Sequence, residues 1–473
     1  MDKHGGTLPK RIRNYDIVVL GAGPGGYEAA IRCAQYGKNT ALVEARDLGG
    51  TCLNRGCIPT KALLHGAEVY QSALNAASCG VTTGEVGFDF AKLAEYKDSV
   101  VAGLRKGIAG LEKAHGVKVI NGFGKLVDEH TLDVDGEKVT FDKLILATGS
   151  APARPPIPGI DGENVVTSDE VLSMTELPDS FVIIGGGVIG IEFATLFASL
   201  GKPVTVIEMM PSILPGVDAD IVKMLSTRVL KRKKVTVINN AKVTGINGGE
   251  KVTVTYELNG AEKTAEGGCC VVAVGRRAMT ANIGLENVGI EMNRAFVNID
   301  DYCRTNIENI YAIGDITGKI QLAHVASAQG LAAAANACGQ KSVKMDYSVV
   351  PSCIYTAPEI AFVGIGEEKA KQQGIEYKIG SFNVAGNGRA MIMGEALGIA
   401  KLISDADGNL IGAQLMGPRA TDMIAELALA LKVGASVETI AETIHPHPTV
   451  SEVIAEAAHD WEGLCCHSLP KKK

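Results

Sequence analysis

Asp16-Ile-Val-Val-Leu-Gly21-Ala-Gly23-Pro-Gly-Gly26 and Phe181-Val-Ile-Ile-Gly185-Gly-Gly187-Val-Ile-Gly190 share one plan. In each, an apolar run of strand length ends in G-x-G-x-x-G and opens a helical segment. A second apolar run then closes on a glutamate. One constant offset relates the copies: Glu28 matches Glu192, Gly37 matches Gly201, and Glu44 matches Glu208. This is strand, glycine turn, helix, strand, written twice, and it predicts two βαβ units of the dinucleotide-binding kind. The first glycine permits the tight turn. The second lets a pyrophosphate approach the backbone, and the third lets helix and strand pack closely. The helix N-terminus offers free N–H groups and a positive partial charge to the diphosphate. Gly21, Gly23, Gly26 and Glu44 are thus candidate ligands in the first unit, Gly185, Gly187, Gly190 and Glu208 in the second. Each terminal carboxylate is placed to accept ribose hydroxyls. Glu208 is followed by Met209 and Met210 rather than arginines. A carboxylate ~4 Å from a 2′-phosphate is repelled by up to ~4 kcal/mol at an effective dielectric near 20, which favours NAD over NADP.

The 473 residues exceed what one hydrophobic core holds, so several domains are expected. With 46% hydrophobic and 21% charged residues and a net charge of −7, the composition is that of an ordinary globular protein. Lys and Arg are dispersed, which gives no basis for a nucleic-acid or membrane surface. No apolar run approaches the ~20 residues of a membrane span. Lys3, Lys10, Arg11 and Arg13 precede no apolar h-region and lead straight into the strand Tyr15–Leu20, so a cytoplasmic chain is expected rather than a secreted one. The eleven cysteines are odd in number and irregular in spacing. That pattern fits mostly buried thiols in a reducing compartment, with neither a disulfide framework nor a metal site.

Between and beyond the repeats the pattern is mixed. Leu132–Val134 and Lys138–Phe141 flank Asp135-Gly136 as a hairpin, followed by a strand Lys143–Ala147 and the turn Thr148-Gly149-Ser150. The Pro-rich Ala151–Pro158 reads as a linker. Lys251–Glu257 and Glu262–Glu266 form a second hairpin around Asn259-Gly260, before a strand Cys270–Val274. A helix is expected over Leu322–Ala337. From Val350 the pattern turns to antiparallel strands, with helices at Ala420–Lys432 and Val437–Thr443.

Two further motifs carry chemistry. Gly49-Gly-Thr-Cys52-Leu-Asn-Arg-Gly-Cys57-Ile-Pro-Thr-Lys61 sets two cysteines about one and a half helical turns apart. A disulfide there closes too small a loop to serve mainly stability, so a redox role is more attractive. Cys269-Cys270 and Cys465-Cys466 are equally close in sequence, and spacing alone does not choose among the three pairs. Near the C-terminus stands His445-Pro-His447-Pro448-Thr449-Val-Ser-Glu452. Thiol–disulfide exchange needs a thiolate, and a histidine oriented by a carboxylate supplies the base. Thr449-x-x-Glu452 is also a capping box for a following helix. His445 reads as a packing or surface residue.

Two glycine fingerprints, Cys-x4-Cys, Gly314-Asp315 and His-x-His-Pro-Thr-x-x-Glu, in this order from Tyr15 to about Ala458, resemble the pyridine nucleotide-disulfide oxidoreductases. The resemblance is nearest to the members that oxidise protein-bound dihydrolipoyl groups and pass hydride to NAD. It implies an α/β fold of two Rossmann-like domains plus a C-terminal α+β dimerisation domain. The expected limits are 1–150 for FAD, 151–278 for NAD, 279–349 for a central domain completing the FAD site, and 350–473 for the interface. It places FAD on Gly21, Gly23, Gly26 and Glu44, with Lys61 near the flavin and paired with Glu192. Gly124, Thr148, Gly149, Ser150, Asp315, Gln321, Leu322, Ala323 and His324 complete that site. NAD falls on Gly185, Gly187, Gly190, Glu208, Val243 and Gly275. Cys52 is implied as the thiol that meets substrate and Cys57 as the one that meets flavin. His447 is implied as base and Glu452 as its partner, supplied by the other subunit of a homodimer. The implied partner is a lipoyl-bearing protein of a 2-oxoacid dehydrogenase or glycine cleavage complex. Glutathione reductases in the family carry arginines after the second unit and a gating tyrosine where Val188 stands. Alternatives are mercuric or other disulfide reduction through Cys465-Cys466, or a flavin-bound scaffold of a multienzyme complex.

Overall fold

The computed structural model describes residues 13–469; Lys3, Lys10, Arg11 and the last four residues lie outside the described residues. The first repeat folds as β1 (Arg13–Leu20), α1 (Pro24–Gln35) and β2 (Thr40–Glu44). Pro24 takes the first helical position of α1, where its missing N–H costs nothing, and Gly37 follows the helix end in the left-handed region (φ 79°). Two helices carry the chain onward, α2 (Gly50–Arg55) and α3 (Cys57–Asn75), then α4 (Phe90–Ala114). β3 (Lys118–Asn121), β4 (Gly124–Asp128), β5 (Thr131–Val134) and β6 (Glu137–Leu146) complete a sheet ordered β3-β2-β1-β6-β5-β4, with strand Ile310–Ala312 also paired to β6. β1, β2, β3 and β6 run parallel, and β4 and β5 are antiparallel. Where the sequence reads two strands, 138–141 and 143–147, there is one. Asp142 is an outward position on a continuous strand whose first half pairs with β5 and whose second half pairs with Ile310–Ala312.

The chain passes through β7 (Ser150–Pro152) and β8 (Val165–Thr167), and the short helix α5 (Ser168–Val171) is closed by a Thr167–Glu170 capping box. The second repeat is β9 (Phe181–Ile184), α6 (Val188–Ser199) and β10 (Val204–Ile207). Next come α7 (Ala219–Met224), β11 (Val235–Ile238), a meander of β12 (Ala241–Asn247), β13 (Val252–Leu258) and β14 (Ala261–Gly267), then β15 (Cys269–Val272) and β16 (Arg276–Ala278). The parallel sheet is ordered β11-β10-β9-β15-β8. The expected hairpin at Asn259-Gly260 forms with both residues at positive φ, and β12 adds a third strand that the sequence reading lacks. Part of the expected linker 151–158 is strand as well, because β7 pairs with β16 and ties the two ends of the second unit together. α6 has no polar face: from Gly190 to Ser199 every residue is buried, and Phe181 stacks on Phe197 at 3.7 Å. A helix apolar all round belongs between layers.

Helix α8 (Ala323–Ala337) packs on α1 so closely that a Cβ at Gly330 would stand 2.3 Å from the Gly25 carbonyl oxygen. Beyond it, strands 352–354, 359–364, 410–417, 399–405 and 377–383 form an antiparallel sheet in that spatial order. Helices Ala420–Val433, Val437–Glu442 and Glu452–Glu462 cover it around a separate core that includes Leu402, Leu415 and Ile454. Among the described residues no helix is long and apolar enough to cross a membrane.

Glu112 of α4 breaks the core's rule: it is fully buried, and neither carboxyl oxygen has a hydrogen-bond partner. Burial pushes its pKa up to about 8. An acid raised in the folded state gives stability present below its unfolded value of about 4.3 and lost as pH climbs to the folded value. Thermal melts of Glu112→Leu should therefore exceed those of the parent by a margin that widens between pH 5 and pH 8 and then levels.

Candidate active site

The two glycine turns are built alike. Gly21 and Gly185 sit at φ 104° and 110°, conformations closed to residues with a Cβ. A Cβ on Gly21 would lie 2.3 Å from the Ala147 carbonyl oxygen, and one on Gly185 2.4 Å from that of Ala273. On Gly26 and Gly190 it would strike the carbonyl oxygen of the first glycine at 1.9 and 2.0 Å. Gly23 and Gly187, the helix N-caps, face open space instead, with nothing within 4 Å of a Cβ position. A cradle of this shape, under a helix N-terminus, fits a diphosphate in both units.

The terminal glutamates hold these turns as well as face them. Glu44 accepts the N–H of Ala22 and of Arg46, each at 2.7 Å. Glu208 accepts that of Gly186 at 2.6 Å and of Met210 at 2.7 Å. Met209 and Met210 stand exposed beside Glu208, with no basic side chain in those positions. Val243 lies on β12, and Gly275 precedes β16 at φ 111°.

Around the first cradle, Gly124 opens β4 where a Cβ would meet Leu20 at 2.5 Å. The Thr148 hydroxyl donates to the Met279 carbonyl at 2.8 Å, and Gly149 follows at φ 71°. Ser150 donates from its hydroxyl to Asp315. Arg276, absent from the sequence reading, completes this cluster: Nε donates to Ser150 Oγ at 2.7 Å and Nη2 to the Ser150 carbonyl at 2.8 Å. Its only local signal was its place directly after Gly275. Gln321 and Leu322 lead into α8, where Ala323 is the first residue and His324 Nε2 bonds the Pro351 carbonyl at 2.9 Å.

The cysteine segment is pinned to the first turn. Gly49 N–H donates to the Ala22 carbonyl at 2.8 Å, and Gly50 packs against Gly23. Cys52 and Cys57 do not share one helix, as the spacing predicts; the backbone breaks at Gly56 (φ −150°, ψ −114°), with Cys52 in α2 and Cys57 opening α3. The break brings the two thiols into a direct hydrogen bond. Both are free thiols, Cys52 half-buried and Cys57 exposed. The bond from Cys52 lowers the pKa of Cys57 and, against burial and Glu192, so does Lys61; the same bond and burial raise that of Cys52. The shared proton is therefore favoured on Cys52 over Cys57. Lys61 Nζ donates to Glu192 Oε2 at 2.7 Å, the pairing that the family resemblance implies.

His447 Nδ1 bonds Glu452 Oε1 at 2.9 Å, while the His447 side chain is 79% exposed. Glu452 Oε2 accepts the Thr449 N–H at 2.9 Å. One half of the capping box thus forms and serves the histidine too; the Thr449 hydroxyl turns instead to Pro446 and Ser451. Burial pushes the Glu452 carboxyl up, but the Thr449 amide and His447 hold it below its usual range. His445 is buried to 6%, with Nε2 on Glu426 and Nδ1 on the Thr443 carbonyl, both at 2.9 Å. Both acceptors are matched by donors only when the ring is protonated.

The other cysteine pairs lie elsewhere. Cys269 and Cys270 are buried on opposite faces of β15, and burial pushes both up to about 12. Cys465 donates to Glu456 at 3.0 Å and lies 3.2 Å from the Ser468 hydroxyl, whereas Cys466 is exposed. No three His, Cys, Asp or Glu side chains among the described residues are grouped to hold a metal ion.

Two dinucleotide cradles, with a dithiol at one of them, define a nucleotide-linked disulfide oxidoreductase. Residues 15–330 match the pyridine nucleotide-disulphide oxidoreductase family and residues 350–458 match its dimerisation domain; the chain belongs to this family. It is 42% identical to a dihydrolipoyl dehydrogenase of Bacillus subtilis, over 96% of this chain and 99% of that one. It is 44% identical to the Chlamydia trachomatis enzyme of the same name, over 97% and 99%. Among solved structures, LpdA of Mycobacterium tuberculosis superposes with a TM-score of 0.87 at 28% identity, covering 94% of this chain and 99% of that one. The HOCl-induced flavoprotein disulfide reductase RclA of Escherichia coli, in a Cu(II) complex, gives 0.86 at 30%, with the same coverage.

The His445–Glu426 bond raises the pKa of His445 against the opposing effect of burial. Its anchoring of the His447 loop is complete below the ordinary histidine value of about 6.5 and fades as pH rises through the raised one. Amide exchange over residues 443–449 should then accelerate, beyond the intrinsic base catalysis of exchange, as pH rises above the ordinary histidine value. His445→Gln should remove that extra acceleration.

Proposed function

We propose that this chain oxidises protein-bound dihydrolipoyl groups through a Cys52–Cys57 disulfide and delivers the hydride to NAD. The observation that carries the reading is the asymmetric dithiol pinned beside the first glycine cradle, with Cys57 held below the ordinary thiol range by Cys52 and Lys61. Gly21, Gly23, Gly26 and Glu44 would hold FAD, with Gly124, Thr148–Ser150, Asp315 and 321–324 along its length. The exposed face of Cys57 is one a flavin would cover. Gly185, Gly187, Gly190, Glu208, Val243 and Gly275 would hold NAD, and Glu208 with Met209 and Met210 disfavours a 2′-phosphate. Bound FAD supplies the redox centre for the electron pair, and NAD accepts the hydride.

The chain's own residues then have distinct tasks. A dihydrolipoyl thiolate attacks Cys52 Sγ, the S–S bond breaks, and Cys57 leaves as the thiolate that Lys61 favours. The second lipoyl thiol attacks the mixed disulfide and releases Cys52, and lipoyl departs as a cyclic disulfide. His447 takes the proton at Nε2, because Nδ1 is held by Glu452. With His447 on the dimerisation domain and exposed, we assign it to the dithiol of the partner subunit in a homodimer. A lipoyl-bearing protein of a 2-oxoacid dehydrogenase or glycine cleavage complex is the proposed partner, and the cytoplasm the proposed location.

Flavin-loaded protein should turn over dihydrolipoamide with NAD and leave glutathione disulfide with NADPH untouched; no dihydrolipoamide turnover overturns the reading. Cys57→Ser should abolish it, and His447→Gln should lower kcat by roughly 10²–10⁴-fold. Replacing Cys465 and Cys466 together by serine should leave turnover unchanged.

A further inference from the structure

Tyr355 stands just beyond the strand Ser352–Ile354, in the C-terminal domain, yet it reaches the centre of the molecule. Its ring centroid lies 4.6 Å from Lys61 Nζ. Its backbone N–H donates to Glu192 Oε1 at 3.0 Å, while Glu192 Oε2 accepts Lys61. The Glu192 side chain is 4% exposed and that of Lys61 30%, so only the lysine retains a way out to solvent. Three segments meet here: α3 brings the cation, α6 the anion, and the C-terminal domain a ring and an amide that engage one charge each.

Lys61 follows Cys57 by four residues on α3, one helical turn, so its ammonium lies on the same face as the thiol. Glu192 acts in the opposite sense, raising the pKa of Cys57 where Lys61 lowers it. The balance at Cys57 therefore depends on where the ammonium rests. A lysine side chain is long and rotamer-rich, and Glu192 fixes only one of its three donors. An aromatic face opposite the carboxylate attracts the ammonium and removes its solvent-facing alternatives.

We propose that Tyr355 is a positioning residue for the reactive dithiol: its ring holds the Lys61 ammonium and its amide holds Glu192, so that the C-terminal domain sets the charge felt at Cys57. The charged and titratable groups around this point are Cys52 on α2, Lys61 on α3, Glu192 on α6, the Tyr355 phenol, Cys353 and Glu359 on the C-terminal sheet, and Asp422 on the helix Ala420–Val433. Tyr355→Phe keeps ring and amide. Tyr355→Leu keeps the amide alone and so isolates the ring. The inference rests on the proposed reading of Cys52–Cys57 as the redox pair.

The test uses the full-length, FAD-loaded protein, reduced anaerobically by two electrons and titrated from pH 5 to 9. The readout is the thiolate-to-flavin charge-transfer absorbance. Tyr355→Phe should match the parent. Tyr355→Leu should move the midpoint upward by roughly half a unit, about a threefold smaller thiolate population at fixed pH on the low side of the midpoint. If the leucine variant does not load FAD, Tyr355→Met takes its place with the same expectation. A band in the parent with an unmoved midpoint in the ring-less variant overturns this inference alone, as does a phenylalanine variant that shifts equally. A parent with no band at any pH overturns the dithiol reading, and this inference with it.

Discussion

Everything in the catalytic half of the molecule depends on a contact that leaves no room for a side chain: the first glycine of each turn pressed against the carbonyl at the end of the neighbouring strand. At Gly21 and Ala147, and again at Gly185 and Ala273, that approach directs the following helix N-terminus into open space above the second glycine. A Cβ at either position meets backbone, which cannot swing aside as a side chain might, so the constraint is absolute. The dithiol inherits its place from the same contact. α2 is tied to the turn through Gly49 and Ala22, and Gly50 packs against Gly23. Asn54 secures its far end by donating to the Leu48 and Gly50 carbonyls, both at 2.9 Å.

Apolar packing alone does not explain how the layers keep their orientation. Charged groups stand at the junctions between them. Lys401 of the C-terminal sheet, 3% exposed, meets Asp218 at 2.7 Å and also Asp220 and Glu367. This joins the second nucleotide unit to the C-terminal domain. Beside the dithiol, Glu192 and Tyr355 join the same bodies, and Lys61 ties in the first unit. Buried pairs of this kind add little net stability, because desolvation offsets much of the attraction. Their effect is geometric: a charge that must find its partner tolerates fewer relative placements than an apolar surface does. Around α6, buried from Gly190 to Ser199 and mostly apolar apart from Glu192, such fixing matters most.

The sequence disclosed what is local and what is repeated. Both turns, the Cys52–Cys57 segment, the Asn259-Gly260 hairpin and the helix 322–337 each depend on residues within a short window, and each was legible. The Lys61–Glu192 pair came from family resemblance rather than from any local pattern. What escaped was long-range. β12 alternates over Ala241–Thr244 and ends at the Asn247-Gly248-Gly249 turn, but its place in the sheet comes from its pairing with β13. Arg276 joins Ser150 across 126 positions, and Tyr355 joins Glu192 across 163. No periodicity marks such residues, since their roles come from what the fold brings to them. The break at Gly56 escaped for a different reason: Cys-x4-Cys spacing suits a continuous helix equally well, and only the backbone angles distinguish the two.

The histidine motif shows how one carboxylate settles two questions at once. Glu452 opens its helix and satisfies the Thr449 amide with one oxygen, a structural task that fixes the carboxylate whether or not chemistry occurs. Its second oxygen then meets His447 at no further ordering cost, and assigns the proton of the neutral ring to Nδ1. Nε2 is left as the free acceptor on a ring that solvent almost surrounds. A base so exposed is poorly suited to a thiol pair in its own half-buried pocket, but well suited to one presented by a second copy at a dimerisation surface. The exposed His447 of one subunit and the half-buried Cys52 of the other are then two sides of one proposed arrangement, in which neither subunit alone completes the site.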